Sequence, residues 1–332
     1  MVKSFRTSYD EIVSMENLLL AWEEFIVGKR KKPDVQEFAY DLYGHVTELH
    51  EALIDGTYEH GPYQAFRIND PKPRQIHKAS VRDRLLHHAI HRKLYPCFAP
   101  TFIADSFSCQ TDKGMHRALN RFESFARKIS QNHTKTCWVL KCDIRKFFAS
   151  IDHSILNSFL RERISDLHLL RLLHHIIESH STSQGKGLPL GNLTSQLFAN
   201  VYMHPLDAFI KHTMRALAYI RYADDFVVLS RDRNLLLALI PLIEGFLHDR
   251  LRLELHPSKI HVQTMASGVD FLGWVHFPHH RILRTSTKRR MMRRIVDHPT
   301  QETVQSYLGL LKHGSGHRIS LEVRNIGWSS FT

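Results

Sequence analysis

Two short apolar runs, Ala216–Tyr222 and Phe226–Ser230, stand either side of Ala223-Asp224-Asp225. Runs of that length, rich in Tyr, Ile, Val and Phe, predict strands, and the polar interruption predicts a hairpin with acids at its tip. Adjacent carboxylates repel each other, and partial burial between apolar strands raises the cost. One reading is an ordinary turn, because Asp tolerates turn geometry. The other is a divalent cation that removes the repulsion: Mg2+ prefers oxygen ligands and is commonly held by one or two carboxylates plus substrate phosphates. A third acid, Asp143, closes the apolar run Trp138–Ile144, which predicts a buried strand. Alone, Asp143 reads as a strand-end residue. With the doublet it reads as a ligand, provided that strand and hairpin are neighbours in one sheet.

The rest of the chain supplies helices. Apolar spacing predicts them over 14–27, about 35–55, about 82–95 and after Asp152, with Asp152 or Ser154 as cap. Two more follow over 193–214, kinked at Pro205, and 235–251, broken near Pro241. Residues 184–192 form a Gly/Pro loop, 269–277 predict one further strand, and the chain turns basic and helical from about 284. This order predicts an α+β fold with helices on one face of a sheet.

Lys and Arg number 45 against 33 Asp and Glu, a net charge of +12. That surplus suits a polyanion, usually nucleic acid, although charge also simply keeps a protein soluble. With 43% hydrophobic and 23% charged residues the chain is neither disordered nor built of membrane spans. Cys97, Cys109, Cys137 and Cys142 form no Cys-x-x-Cys pair, which predicts free thiols in a reducing cytosol. No signal peptide and no membrane span is evident, so a cytoplasmic location is expected. The pairs His87-His88, His174-His175 and His279-His280 lack metal-ligand spacing and read as surface or packing residues.

Taken together, these blocks resemble the palm of reverse transcriptases. Lys141–His153 looks like the family's first metal-binding motif, and Tyr222–Asp225 like its Tyr-x-Asp-Asp signature. Gly187–Gln196 is similar to the template and nucleotide loop. Pro71–Arg74 with Ala79–Leu85 resembles the fingers motif, and Ser106–Leu119 the motif after it. His256–Lys259 and Phe271–Trp274 resemble the later palm motifs. Seven blocks stand in family order over roughly 60–275. The loop ends Ser195-Gln196 where intron-related enzymes usually carry Ser-Pro. In this it resembles the reverse transcriptases of diversity-generating retroelements, which copy a template RNA with errors at adenines; phage-defence and group II intron-like enzymes are the alternatives.

The resemblance implies a right-hand polymerase fold. Fingers would span 1–135, palm 136–275 with inserted helices around 154–185, and a basic helical thumb 276–332, with no ribonuclease H, maturase or endonuclease segment after it. It implies RNA-directed DNA synthesis with two Mg2+ ions, or Mn2+, held by Asp143 and Asp224, with Asp225 nearby and the Ile144 carbonyl completing a shell. Phe148 would exclude ribonucleotides, although Phe147 and Phe148 also read as core. Lys72, Arg74 and Arg82 are candidates to grip the triphosphate, while Arg84 and Asp83 read as a structural pair. Gln196, with Leu190, would loosen the fit around the templating base. Lys259 would protonate the leaving pyrophosphate, or is a surface lysine in a turn. Leu190, Gly191, Ser195 and the strand Phe271, Leu272, Gly273, Trp274 would contact template and primer. Lys288, Arg289, Arg290, Arg293 and Arg294 would track phosphates in the thumb. Implied partners are a template RNA, the cDNA or primer, deoxynucleoside triphosphates and a small basic accessory protein, with no membrane, in a bacterial or phage setting. A non-catalytic RNA-binding scaffold and an RNA-dependent RNA polymerase are the weaker readings.

Overall fold

The strands predicted before Asp143 and either side of Ala223-Asp224 form, and their register carries the site. The structure, a computed structural model, describes residues 7–69 and 73–331, so Lys72 lies outside the described residues. The strands are β1 Gln64–Ile68, β2 Arg74–Lys78, β3 Trp138–Asp143, β4 Tyr219–Tyr222, β5 Asp225–Ser230, β6 His261–Thr264, β7 Val269–Phe271, β8 Trp274–His276 and β9 Arg281–Leu283. The chain forms two compact units, each discontinuous in sequence. One takes the chain up to Ala104 with Ile144–Phe209 and Ile243–Glu254; the other takes Asp105–Asp143, Ile210–Leu242 and Leu255 onward.

The first unit is mainly helical. Helices Met15–Phe25 and Leu193–Ala208 pack on Val81–Phe98, and His153–Arg161 packs on Leu193–Ala208 and Leu167–Glu178. Asp152 caps His153–Arg161 as predicted, its carboxylate accepting from the amides of Ser154 and Ile155. The pattern over 35–55 resolves into two helices, Pro33–Tyr40 and Leu42–Ile54, because Asp41 stops the first and caps the second through the Gly44 amide. β1 and β2 pair antiparallel from Gln64 opposite Lys78 to Ile68 opposite Arg74.

The second unit holds a four-stranded antiparallel sheet in the order β4-β5-β3-β6. β4 and β5 are almost wholly buried, hence their continuous apolar runs rather than alternation. Val139, Ile220, Val227 and Leu229 share a core with Ala118, Leu119, Phe122, Phe125 and Ala126 of helix Met115–Ile129. That core runs on through Phe271 and Trp274 to Met291, Ile295, Val304, Leu311 and Val323 of the C-terminal helices. Truncating the wholly buried Phe122 to Ala costs about 3–5 kcal/mol on general grounds.

Two expectations need correction. Residues 269–277 are not one strand: β7 and β8 form a hairpin whose tip, Leu272-Gly273, has φ of +49° and +84°, the left-handed pair a two-residue loop requires. Helix Arg233–Leu251 runs unbroken through Pro241, because its buried stripe Leu236, Leu239, Ile243 and Leu247 continues on both sides.

Candidate active site

Sheet register brings the acids together. Asp143, the last residue of β3, lies directly opposite Asp225, the first of β5, and Asp225 is also opposite Tyr222 of β4. Directly opposed residues of an antiparallel pair stand about 4.5–5.5 Å apart. Asp225 is therefore a strand residue rather than part of the tip, which is Ala223-Asp224 alone.

Asp225 is poorly solvated. Its Oδ1 has no hydrogen-bond partner. Burial pushes its pKa up to about 6; Lys141 opposes the rise, while Asp143, Asp224 and Asp270 add to it. Two ammonium groups answer this negative charge. Lys259 Nζ donates to Asp143 Oδ1 at 2.6 Å, and Lys141 Nζ lies 3.9 Å from Asp225 Oδ1 while donating to the Asp270 carbonyl at 2.7 Å. The turn that carries Lys259 is fixed to β3: the His256 amide donates to the Asp143 carbonyl at 2.8 Å and the Lys259 amide to the His256 carbonyl at 2.9 Å.

An orphaned buried carboxylate oxygen amid further acids, balanced by lysines, fits a hard divalent cation. Among the described residues no three His, Cys, Asp or Glu side chains form a closed ligand set. A cation here would take its remaining ligands from backbone, water or phosphate oxygens, as Mg2+ commonly does.

Asp270 and its partner Arg284 were not singled out by sequence. Arg284 pairs with the Asp270 carboxylate, and its amide donates to the Gly273 carbonyl at 3.0 Å, joining the β7–β8 hairpin to the start of helix Thr285–Asp297. That helix buries Thr287, Met291 and Ile295 and exposes Arg289, Arg293 and Arg294; Arg290 is half-buried. Lys288 pairs with Glu322 at 3.3 Å.

Arg74, Arg82, Phe148 and Gln196 fall in the first unit, where the Gly/Pro loop is bonded to both Phe148 and β2. The Leu188 amide donates to the Phe148 carbonyl and the His77 amide of β2 to the Leu190 carbonyl, at 2.8 and 3.0 Å. Gly191 has φ +112°, and a Cβ there would meet Ile76 Cγ2 at 3.0 Å, so only glycine fits. Phe147 is core, while Phe148 is half-buried against it with ring centroids 5.2 Å apart. Ser195 is buried and Gln196 half-buried in the first turn of helix Leu193–Ala208. Arg74 is exposed at the start of β2. Arg82 donates to the Glu59 carbonyl at 3.3 Å and lies over the Tyr58 ring.

The expected Arg84–Asp83 pair does not form. Arg84 pairs with Asp34, while buried Asp83 accepts from Tyr58, Ser80 and the Gly61 amide. Nor is His87 merely packing. His60 Nδ1 donates to the Gly61 carbonyl at 2.7 Å, and its Nε2 shares a hydrogen bond with His87 Nε2 at 3.1 Å. His87 Nδ1 is hydrogen-bonded to the Thr194 hydroxyl at 2.6 Å. Burial drives the His87 pKa down to about 3, so the imidazole is neutral. A single His in a helix pattern carries no sequence signal for this role.

Comparison with known proteins decides the family. The profile described as reverse transcriptase (RNA-dependent DNA polymerase) matches residues 68–276. The chain belongs to the reverse transcriptase family. Among its relatives is protein YkfC of Escherichia coli, 24% identical over 305 residues, covering 79% of this chain and 77% of that one. The group II intron-encoded protein LtrA of Lactococcus lactis is 21% identical over 302 residues, covering 69% of this chain and 49% of LtrA; the chain thus spans about half that relative's length. In fold it is similar to telomerase from Candida albicans, solved in complex with a fragment of telomeric RNA, with a TM-score of 0.53 at 11% identity over 79% of this chain and 54% of that one. The fold is accordingly the right-hand polymerase fold, and this reverse transcriptase is an RNA-directed DNA polymerase. No helix among the described residues is long and apolar enough to cross a membrane.

Proposed function

We propose that the chain copies a structured template RNA into cDNA as the error-prone polymerase of a diversity-generating retroelement. The observation that carries the chemistry is the register Asp143 opposite Asp225, with Asp224 on the adjoining turn. The loop ending Ser195-Gln196 supports the diversifying role: Gln in place of Pro restores a backbone N–H and adds an amide beside the templating base. A group II intron-like role is the second reading, favoured by the likeness to an intron-encoded protein.

In this reading 1–135 are fingers, 136–275 palm and 276–332 thumb. Asp143 and Asp224, with Asp225 and the Ile144 carbonyl, would hold two Mg2+ or Mn2+ ions, which when bound stabilise the attacking and leaving oxygens of an in-line displacement. The primer 3′ hydroxyl loses its proton to solvent and its oxygen bonds to the α-phosphorus of the deoxynucleotide as the bond to the diphosphate breaks. The Lys259 ammonium supplies a proton to the departing diphosphate. Arg74 and Arg82, with Lys72, grip the triphosphate, and Phe148 closes the space a 2′ hydroxyl would need. Leu190, Gly191, Ser195 and the Phe271–Trp274 hairpin position template and primer, while the exposed arginines of helix Thr285–Asp297 follow the phosphate backbone. A small basic accessory protein is the implied partner.

Primer extension on an RNA template, with products sequenced, tests this. DNA products with errors concentrated opposite template adenines are expected. Faithful copying at adenines would leave a polymerase without the diversifying role, and products made only from ribonucleotides would overturn the polymerase assignment.

A further inference from the structure

Arg221 stands on β4 two residues before Ala223 and three before Asp224, and its side chain is wholly buried. Its guanidinium Nη1 donates to the Ala223 carbonyl at 3.1 Å. Ala223 has φ +55°, a left-handed conformation that residues with a Cβ disfavour. The turn that presents Asp224 therefore needs a restraint, and the contact from Arg221 acts on the strained residue itself.

The backbone beneath Arg221 is pinned in turn. Its amide donates to the Asp105 carbonyl and its carbonyl accepts from the Phe107 amide, both at 3.0 Å, so residues 105–107 run parallel along the outer edge of β4. The Asp105 side chain is held by Arg121 Nε and Lys211 Nζ, each at 2.6 Å. Desolvating a guanidinium is costly and is offset only where its donors have fixed partners. A lysine offers one flexible point charge in place of that planar fork.

We infer that Arg221 is a positioning residue for the reaction. It holds the Ala223–Asp224 turn and thereby sets Asp224 and Asp225 against Asp143. It acts through the Ala223 carbonyl. The inference rests on the polymerase reading, which gives these acids their role. Loss of the restraint displaces the acids and leaves the residues assigned to nucleotide binding in place, so kcat falls while KM holds.

Full-length Arg221→Lys is compared with wild type by thermal unfolding and by steady-state primer extension on an RNA template. A kcat about 100-fold lower is expected, the scale of a small misplacement of reacting groups, with KM for the deoxynucleotide within about twofold. Adding Ala223→Gly, which accepts a left-handed φ without penalty, is expected to recover kcat about tenfold in that background. Wild-type kcat in Arg221→Lys, a proportional rise in KM, or equal kcat in the single and double variants would each overturn the inference. Should Arg221→Lys not fold, Ala223→Val strains the same turn while leaving the arginine in place. There kcat about tenfold lower at unchanged KM supports the inference, and unchanged kcat defeats it. Wild-type protein without any synthesis would instead remove the polymerase reading beneath it.

Discussion

At the ends of β3 and β5 the chain gathers carboxylates and answers them with the ammonium groups of Lys259 and Lys141. At the start of helix Leu193–Ala208, in the other unit, it gathers imidazoles, and burial removes the charge of His87: His60 and His87 share one hydrogen bond, and His87 ends on the Thr194 hydroxyl. The two clusters treat buried ionisable groups in opposite ways. The acids keep an orphaned oxygen and mutual repulsion that a cation would relieve. The His87 imidazole keeps no charge, and both its nitrogens have a partner. A buried ionisable group is thus either left under electrostatic tension, as Asp225 is, or neutralised by burial, as His87 is.

The comparison breaks at its strongest point if the acids are not catalytic. Asp224→Asn is expected to lower DNA synthesis by at least about 10³-fold while the protein stays folded, read by primer extension and circular dichroism. Synthesis at the wild-type level by that variant would defeat the assignment.

Acid tests the neutral His87, and with it His276 of β8, which lies outside that cluster. The folded pKa values of His87 and His276 are both pushed by burial to about 3, below the ordinary 6.5. The folded state thus binds fewer protons, so their contribution is complete above pH 6.5 and is lost as pH falls toward 3. Together they are expected to remove up to about 4 kcal/mol between pH 7 and pH 5, at about 1.4 kcal/mol per group per pH unit. Urea denaturation at the two pH values measures this, and a pH-independent stability would contradict it.

Asp225 sharpens the contrast because its sign is reversed. Its carboxyl, raised to about 6, favours folding while protonated, and that contribution is lost as pH rises through 6. Asp225→Asn is therefore expected to stabilise the metal-free protein by about 1–3 kcal/mol at pH 8 even as it impairs synthesis. Greater sensitivity to urea in that variant would count against a strained site.

A smaller effect is expected on helix Thr285–Asp297. Replacing exposed Arg289 and Arg293 by Ala should lower the slope of log affinity against log salt for a primer–template duplex by roughly one per lost phosphate contact. An unchanged slope would remove these residues from the nucleic-acid face.

Much of this was legible from residues alone. The apolar runs around Ala223-Asp224-Asp225 and before Asp143 dictate buried strands, because continuous β-branched and aromatic residues can be accommodated only where both faces are covered. Asp152 as a cap and Gly191 in the loop follow from local backbone chemistry. The stop at Asp41 and the Leu272-Gly273 turn are local as well, but their signals were overridden by apolar patterns that run on through them.

What sequence could not supply is partnership across long separations. That Lys259 answers Asp143, that Arg84 chooses Asp34 rather than its neighbour, that Arg221 grips its own turn from within the core and that His87 reaches Thr194 are matters of strand register and helix packing. Local propensity depends on a few neighbouring side chains and is written along the chain. Burial, and with it the charge state of every ionisable group, depends on which distant surfaces exclude water together, and only the tertiary structure decides that.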